Sequence, residues 1–255
     1  MLTSFRGPAA LLVSASLAFA APAAAQTVNP ADEVEADAEG PITFSANIAL
    51  TSEYRFRGVD LSGGDPALQG GFDLGHESGF YVGTWASTLD DDTVGYGDVE
   101  LDIYGGWSGN VGEGLALDVG VIGYLYPDAG PGDFDYVELY SSLGFTFGPA
   151  ETTLGVAYAP EQDSLGGTDN FYVYADAGIG IPDTAITVTG HLGYTDGFLT
   201  FTDDGNAFDW SIGAEASVYG PFSVSAAYVG AEGDIPPGAY DFVDDAFVVT
   251  LSATF

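Results

Sequence analysis

The chain has 255 residues, with 38 acidic side chains against three arginines and no lysine, and a formal net charge of −35. Such a surface repels nucleic acid and anionic membranes, and the absence of cysteine excludes thiolate metal sites and thiol catalysis. Aromatics at 14% and hydrophobics at 46% are too abundant for a disordered acidic coil.

Residues 1–25 read as an export signal. Arg6 supplies the positive start, residues 8–21 an apolar stretch, and Ala23, Ala24 and Ala25 a small-residue cleavage site before Gln26. Residues 26–41 are acidic and aperiodic, and are expected to form a flexible periplasmic leader. Removal of the signal leaves Arg55 and Arg57 as the only cationic side chains other than histidine, against all 38 carboxylates. No later stretch approaches the ~20 apolar residues of a membrane helix.

From Ile42 onward the pattern has period two. Phe44, Ala46, Ile48, Leu50, Tyr54 and Phe56 alternate with Thr43, Ser45, Asn47, Thr51, Glu53, Arg55 and Arg57. One face is apolar and the other polar, as a pleated strand between two solvents requires. The alternation recurs along the chain to Phe247, Val249, Leu251, Ala253 and Phe255. With weaker strands near 66–76, 79–88, 152–159 and 222–230, about twelve strands are predicted. Short links at 77–78, 148–149, 182–183 and 220–221, with a middling one at 108–113, alternate with long polar ones near 58–65, 89–97, 127–133, 160–169, 195–206 and 231–244.

The prediction is an all-β protein: a transmembrane antiparallel β-barrel over 42–255, with short periplasmic turns and longer extracellular loops. The expected location is the outer membrane of a Gram-negative bacterium. Aromatic belts follow from strand direction. Phe44, Trp107, Phe145, Phe147, Phe222 and Phe255 are placed at the periplasmic rim, and Tyr54, Phe56, Phe208, Trp210 and Tyr228 at the outer rim.

The stretches FSANIALTSEYRFRG (44–58), DPALQGGFDLGHESGFYVGTWAS (65–87), ELDIYGGWSG (100–109) and LDVGVIGYLYP (117–127) resemble the TorF family of proteobacterial porins. The resemblance covers most of 42–255, strongest in the first half. It implies an outer-membrane pore of unassigned substrate and carries no catalytic residues.

Parity places Glu53, Asp73, Asp98, Glu100, Asp102, Asp118, Glu138, Asp176, Asp209 and Glu215 in the lumen, with Arg55 and Arg57 one above the other on the same inward face. One reading is a constriction in which Arg55 and Arg57 face Glu53, Glu100, Glu138 and Asp209, whose transverse field selects small solutes. The other is plain structural pairing, which an uncompensated lumenal charge would demand in any case. Tyr104, Tyr124, Tyr126, Tyr136, Tyr140, Tyr172 and Tyr174 also point inward, as volume fillers with hydrogen-bonding tips or as sugar-stacking platforms. Gly70–Gly71 and Gly105–Gly106 read as close strand packing or lumenal room. Asp90, Asp91 and Asp92 are weak calcium candidates, with solvated loop charge the favoured account. His191 has lumenal parity but no serine partner in its strand, so catalysis is not expected.

The functional expectation is passive diffusion of small hydrophilic solutes with a cation preference and no cofactor. The alternative is a non-conducting outer-membrane barrel whose acidic loops stabilise the envelope or contact partners. The expected partners are outer-membrane lipid and lipopolysaccharide, and the barrel assembly machinery through the C-terminal strand ending at Phe255.

Overall fold

The computed structural model describes residues 40–132, 134–235 and 240–255. The expected signal peptide (1–25), and the leader up to residue 39, lie outside the described residues. Twelve strands follow in chain order: β1 (Ile42–Thr51), β2 (Ala67–His76), β3 (Phe80–Thr88), β4 (Val99–Gly112), β5 (Leu115–Leu125), β6 (Tyr136–Phe147), β7 (Ala150–Gln162), β8 (Thr168–Gly180), β9 (Ile186–Gly197), β10 (Asn206–Tyr219), β11 (Phe222–Glu232) and β12 (Ala246–Thr254). Each pairs antiparallel with its chain neighbours, and β12 pairs with β1 to close the barrel. Closure leaves no strand edge, the condition for a sheet to exist in lipid.

The links at one end are mostly shorter than those at the other, although 181–185 and 163–167 are equal in length. Residues 77–79, 113–114, 148–149, 181–185 and 220–221 connect strands at one end, and 52–66, 89–98, 126–135, 163–167, 198–205 and 233–245 at the other. A barrel with tight turns at one end and long loops at the other is the expected architecture, with the same strand count.

The outer wall is greasy all round. Ile48, Leu50, Leu68, Phe72, Val82, Ile103, Leu139, Leu154, Leu192, Ile212, Phe247 and Leu251 are all about half exposed or more. No water-soluble protein leaves a continuous apolar belt of this kind uncovered. Inward positions carry the polar set: Asp73, Glu100, Asp102, Asp118, Glu138, Asp209 and Glu215 are buried. Phe44, Phe145, Phe222 and Phe255 are exposed toward the short-turn end, and Phe208 and Tyr228 toward the long-loop end, as their parity predicts.

The first strand is shorter than its alternation implied. It ends at Thr51, and the chain then turns into the barrel through a two-residue hairpin, Arg55–Phe56 against Val59–Asp60. Tyr54 and Phe56 therefore do not sit on an outer lipid-facing belt; they are 3% and 4% exposed, inside the fold. Arg55, Arg57 and Glu53 belong to this loop and not to a barrel strand. Tyr54 to Arg57 continue the apolar–polar alternation in the sequence, so alternation alone cannot register that the ladder has stopped. Asp98 likewise lies before β4 and is exposed.

Candidate functional site in the barrel interior

The residues 52–66, the first long loop, fill the long-loop half of the lumen. Tyr54, Phe56, Val59 and Leu61 pack with Trp85, Leu89, Tyr124, Tyr126, Tyr136, Leu165, Leu199 and Val243 in one buried cluster. Phe56 meets Tyr124 edge-on at 5.8 Å, and Tyr54 meets Trp85 edge-on at 5.7 Å. These are favourable aromatic geometries, so the loop is docked against the wall.

Polar bonds fix the same loop to three sides of the barrel. Arg57 reaches β6, where Nη1 and Nη2 donate to Oε1 and Oε2 of Glu138 at 3.1 and 2.7 Å. Both side chains are 1% exposed. Tyr54 Oη donates to Glu100 on β4 at 2.7 Å. Gly58, with φ +79, lies so close to β10 and β11 that a Cβ there would stand 2.6 Å from that of Ala231 and 2.9 Å from that of Asp209. Only glycine satisfies both the backbone angle and the approach.

The loop is also latched to the last one. Arg55 bonds Glu53 beside it, and its Nη2 donates to Asp244 Oδ1 at 2.8 Å. Asp60 N donates to Phe242 O at 2.8 Å, and Tyr240 Oη donates to Asp60 Oδ2 at 2.6 Å. Burial works against the charge of Arg57, and the carboxylate of Glu138 outweighs it, so the guanidinium is held protonated more firmly than in water. At Glu53 burial pushes the carboxyl up, and Arg55 offsets only part of that shift.

Arg55 and Arg57 thus face different ways. Arg57, Glu138, Glu100 and Asp209 meet around the docked loop inside the lumen, whereas Arg55 and Glu53 belong to the seam between the first and last loops.

Beneath the loop, tyrosines and carboxylates pair along the wall. Tyr104 donates to Asp73 at 2.6 Å, Tyr81 to Asp118 at 2.7 Å, Tyr124 and Tyr126 to Glu138 and Glu100 at 3.2 Å each, and Tyr172 to Asp209 at 3.1 Å. Tyr140 Oη lies against Tyr81 Oη, and Tyr174 stacks between Tyr172 and His191. Glu138 is shared between a phenol and Arg57, and Asp209 between a phenol and His191, while Glu100 and Asp118 take their side-chain bonds from phenols; tyrosine donors thus let an interior so short of arginine carry many acids. Room for the rings comes from glycines directly opposite in register. Gly83 faces Tyr104, Gly106 faces Tyr81, Gly120 faces Tyr140 and Gly155 faces Tyr174, and in each case a Cβ would strike the ring. Gly106 thereby serves the lumenal-room role expected of it.

Register also assembles a cluster that parity alone did not single out. His191 on β9 lies opposite Asp176 on β8. Its Nδ1 bonds Asp176 at 2.6 Å and its Nε2 bonds Asp209 at 2.7 Å, with Tyr172 Oη 2.9 Å from Nε2. No serine stands in these bonds, and the imidazole is fully engaged by acids.

In the loop after β3, Asp90 accepts the Thr93 hydroxyl and Asp91 accepts the Gly97 N–H at 2.8 Å. Among the described residues no three His, Cys, Asp or Glu side chains converge as a metal-holding set.

Comparison with known proteins bears on this barrel as a whole. The chain is similar in structure to the NanC porin, with a TM-score of 0.57 and 8% identity over 83% of this chain and 99% of that one. It is also similar to the KdgM porin, solved in complex with disordered oligogalacturonate, with a TM-score of 0.55 and 4% identity over 84% and 98% of the two chains. Identities this low show a shared fold. No curated protein matches the sequence. A family model described as a bacterial protein of unknown function, Gcw_chp, matches residues 35–255, and the chain belongs to that family.

Proposed function

We propose that the protein is a porin-like channel of the outer membrane that passes small hydrophilic solutes and prefers cations. The observation that carries this reading is the interior charge. Asp73, Glu100, Asp102, Asp118, Glu138 and Asp209 are buried on the lumenal face, and Arg57 is the one arginine set among them. Carboxylates along the route of a permeating solute raise the local concentration of cations and repel anions. The barrel shared with two porins and the apolar outer belt support the location. So does the export signal read in residues 1–25, and Phe255, exposed just past β12, is the residue that assembly machinery would engage. The TorF porin resemblance belongs to the same reading, with lipopolysaccharide and outer-membrane lipid as the surroundings of the belt.

The test is a planar bilayer with a potassium chloride gradient. A reversal potential on the cation side supports the reading, and one on the anion side overturns it. A second reading, a non-conducting structural barrel, is favoured by the dense packing of Tyr54, Phe56, Val59 and Leu61 in the lumen. Absence of any current from the intact protein, with current restored by deleting residues 55–60, would favour that reading.

A further inference from the structure

Arg57 occupies a site that the barrel wall builds without it. Glu138 on β6 offers both carboxylate oxygens to a planar fork. Tyr124 on β5 braces Oε2 of that carboxylate at 3.2 Å. The guanidinium carbon lies over the Tyr172 ring on β8, 4.3 Å from its centroid, and over the Phe56 ring of the loop at 4.7 Å. Bidentate carboxylate and aromatic face together are the chemistry that recognises a guanidinium over an ammonium, because the group is flat, forked and weakly hydrated. The fit of the occupant is incomplete. Arg57 Nε and Asp209 Oδ2 are both buried without a partner, and Arg57 holds a left-handed backbone with φ 50, a conformation that strains a non-glycine residue.

We infer that this wall is a receptor for guanidinium-bearing solutes, and that Arg57 is its tethered occupant, displaced with the first loop when such a solute binds. The wall supplies Glu138, Tyr124 and Tyr172, and the loop supplies only the competing guanidinium and Phe56. A solute carrying the same group satisfies the wall equally and frees Arg57 from its strained backbone. Displacement opens the half of the lumen that the loop fills, so the solute that fits the wall also clears its own path. Anionic solutes are repelled by Glu138, Glu100 and Asp209. The binding step stands on the geometry alone; the passage that follows rests on the channel reading.

The experiment removes the tethered group and supplies a free one. Arg57→Ala protein, folded in detergent, is melted with equal millimolar concentrations of methylguanidinium, of N-methylurea, which matches its size without the charge, or of methylammonium, which carries the charge without the fork. Methylguanidinium is expected to raise the melting temperature by roughly 2–4 °C, with no comparable rise from the other two, and the rise should vanish in Arg57→Ala/Glu138→Gln. Equal shifts from all three probes, or none from methylguanidinium, overturn the inference. If Arg57→Ala does not fold alone, refolding yield is read with each probe, and methylguanidinium must rescue it selectively. Loss of this rescue while the wild-type barrel still conducts cations refutes the receptor and leaves the channel reading intact. Selective rescue by a barrel that conducts nothing has the opposite meaning.

Discussion

Replacing Glu138 by glutamine should destabilise the barrel out of proportion to the single heavy atom changed. The pair it forms with Arg57 is almost wholly buried, with both side chains 1% exposed. Breaking such a pair by removing one charge typically costs ~3–5 kcal/mol, because the remaining charge stays buried without its counterion. Glutamine keeps one oxygen that can accept from Arg57, which sets the expectation near the lower limit, about 3 kcal/mol. For a chain of this size that corresponds to a fall in melting temperature of roughly 6–12 °C. The assay is thermal unfolding of detergent-folded protein, followed by loss of strand circular dichroism and of heat-modifiable gel mobility. The decisive control is Arg57→Met/Glu138→Leu. Apolar replacement of both partners should recover most of the loss, since the cost comes from a stranded charge more than from a missing bond. A Glu138→Gln protein as stable as wild type, or a double variant no better than the single, would refute the reasoning.

The other predictions probe the wall and the loop. Tyr104→Phe removes the 2.6 Å bond to Asp73 and should cost about 1.5–3 kcal/mol of stability, read by the same melting assay; no change would show that another donor serves Asp73 equally. Gly155→Val places side-chain atoms where the Tyr174 ring lies and should cost ~1–3 kcal/mol by overpacking, whereas Gly155→Val/Tyr174→Ala should restore part of it. Gly58→Ala meets both a positive φ and the Ala231 Cβ at 2.6 Å, so the first loop should undock; limited proteolysis within 52–66 should become faster while the barrel strands stay protected. Asp102→Asn/Asp118→Asn removes two lumenal charges and should lower the potassium-over-chloride permeability ratio measured in bilayers, the more so at low salt, where screening is weakest.

Much of the barrel could be read from the sequence because lipid and lumen impose one rule on every strand. Ile103 faces out while Glu100, Asp102 and Tyr104 face in, and no tertiary detail is needed to see it. The order of short and long links was legible too, since turn residues interrupt the alternation, although the first loop runs 52–66 where 58–65 was expected and the one after β7 only 163–167 where 160–169 was expected. What failed was the step from parity to place. Tyr54 through Arg57 continue the period of β1, yet they lie in a hairpin that folds inward, and the sequence marks the change only by Gly58, whose positive φ permits the turn. The cluster around His191 was hidden for another reason. Asp176 is 15 residues away and Asp209 is 18 away, and only the register of β8, β9 and β10 brings the three to one level. The glycine–tyrosine pairs have the same origin: each is a meeting of two strands whose alignment no single segment encodes.

The knot between the first and last loops sets an order of events. Arg55 and Asp60 find their partners in Asp244, Phe242 and Tyr240, which lie in the loop just before β12. The first loop's seam must therefore wait until the last loop is made, whereas its bonds to Glu100 and Glu138 do not depend on it. A chain cut short before residue 240 would lose both the seam and the latch, and its interior would lie bare. Closure of that seam is in effect a report that the whole cylinder has been completed.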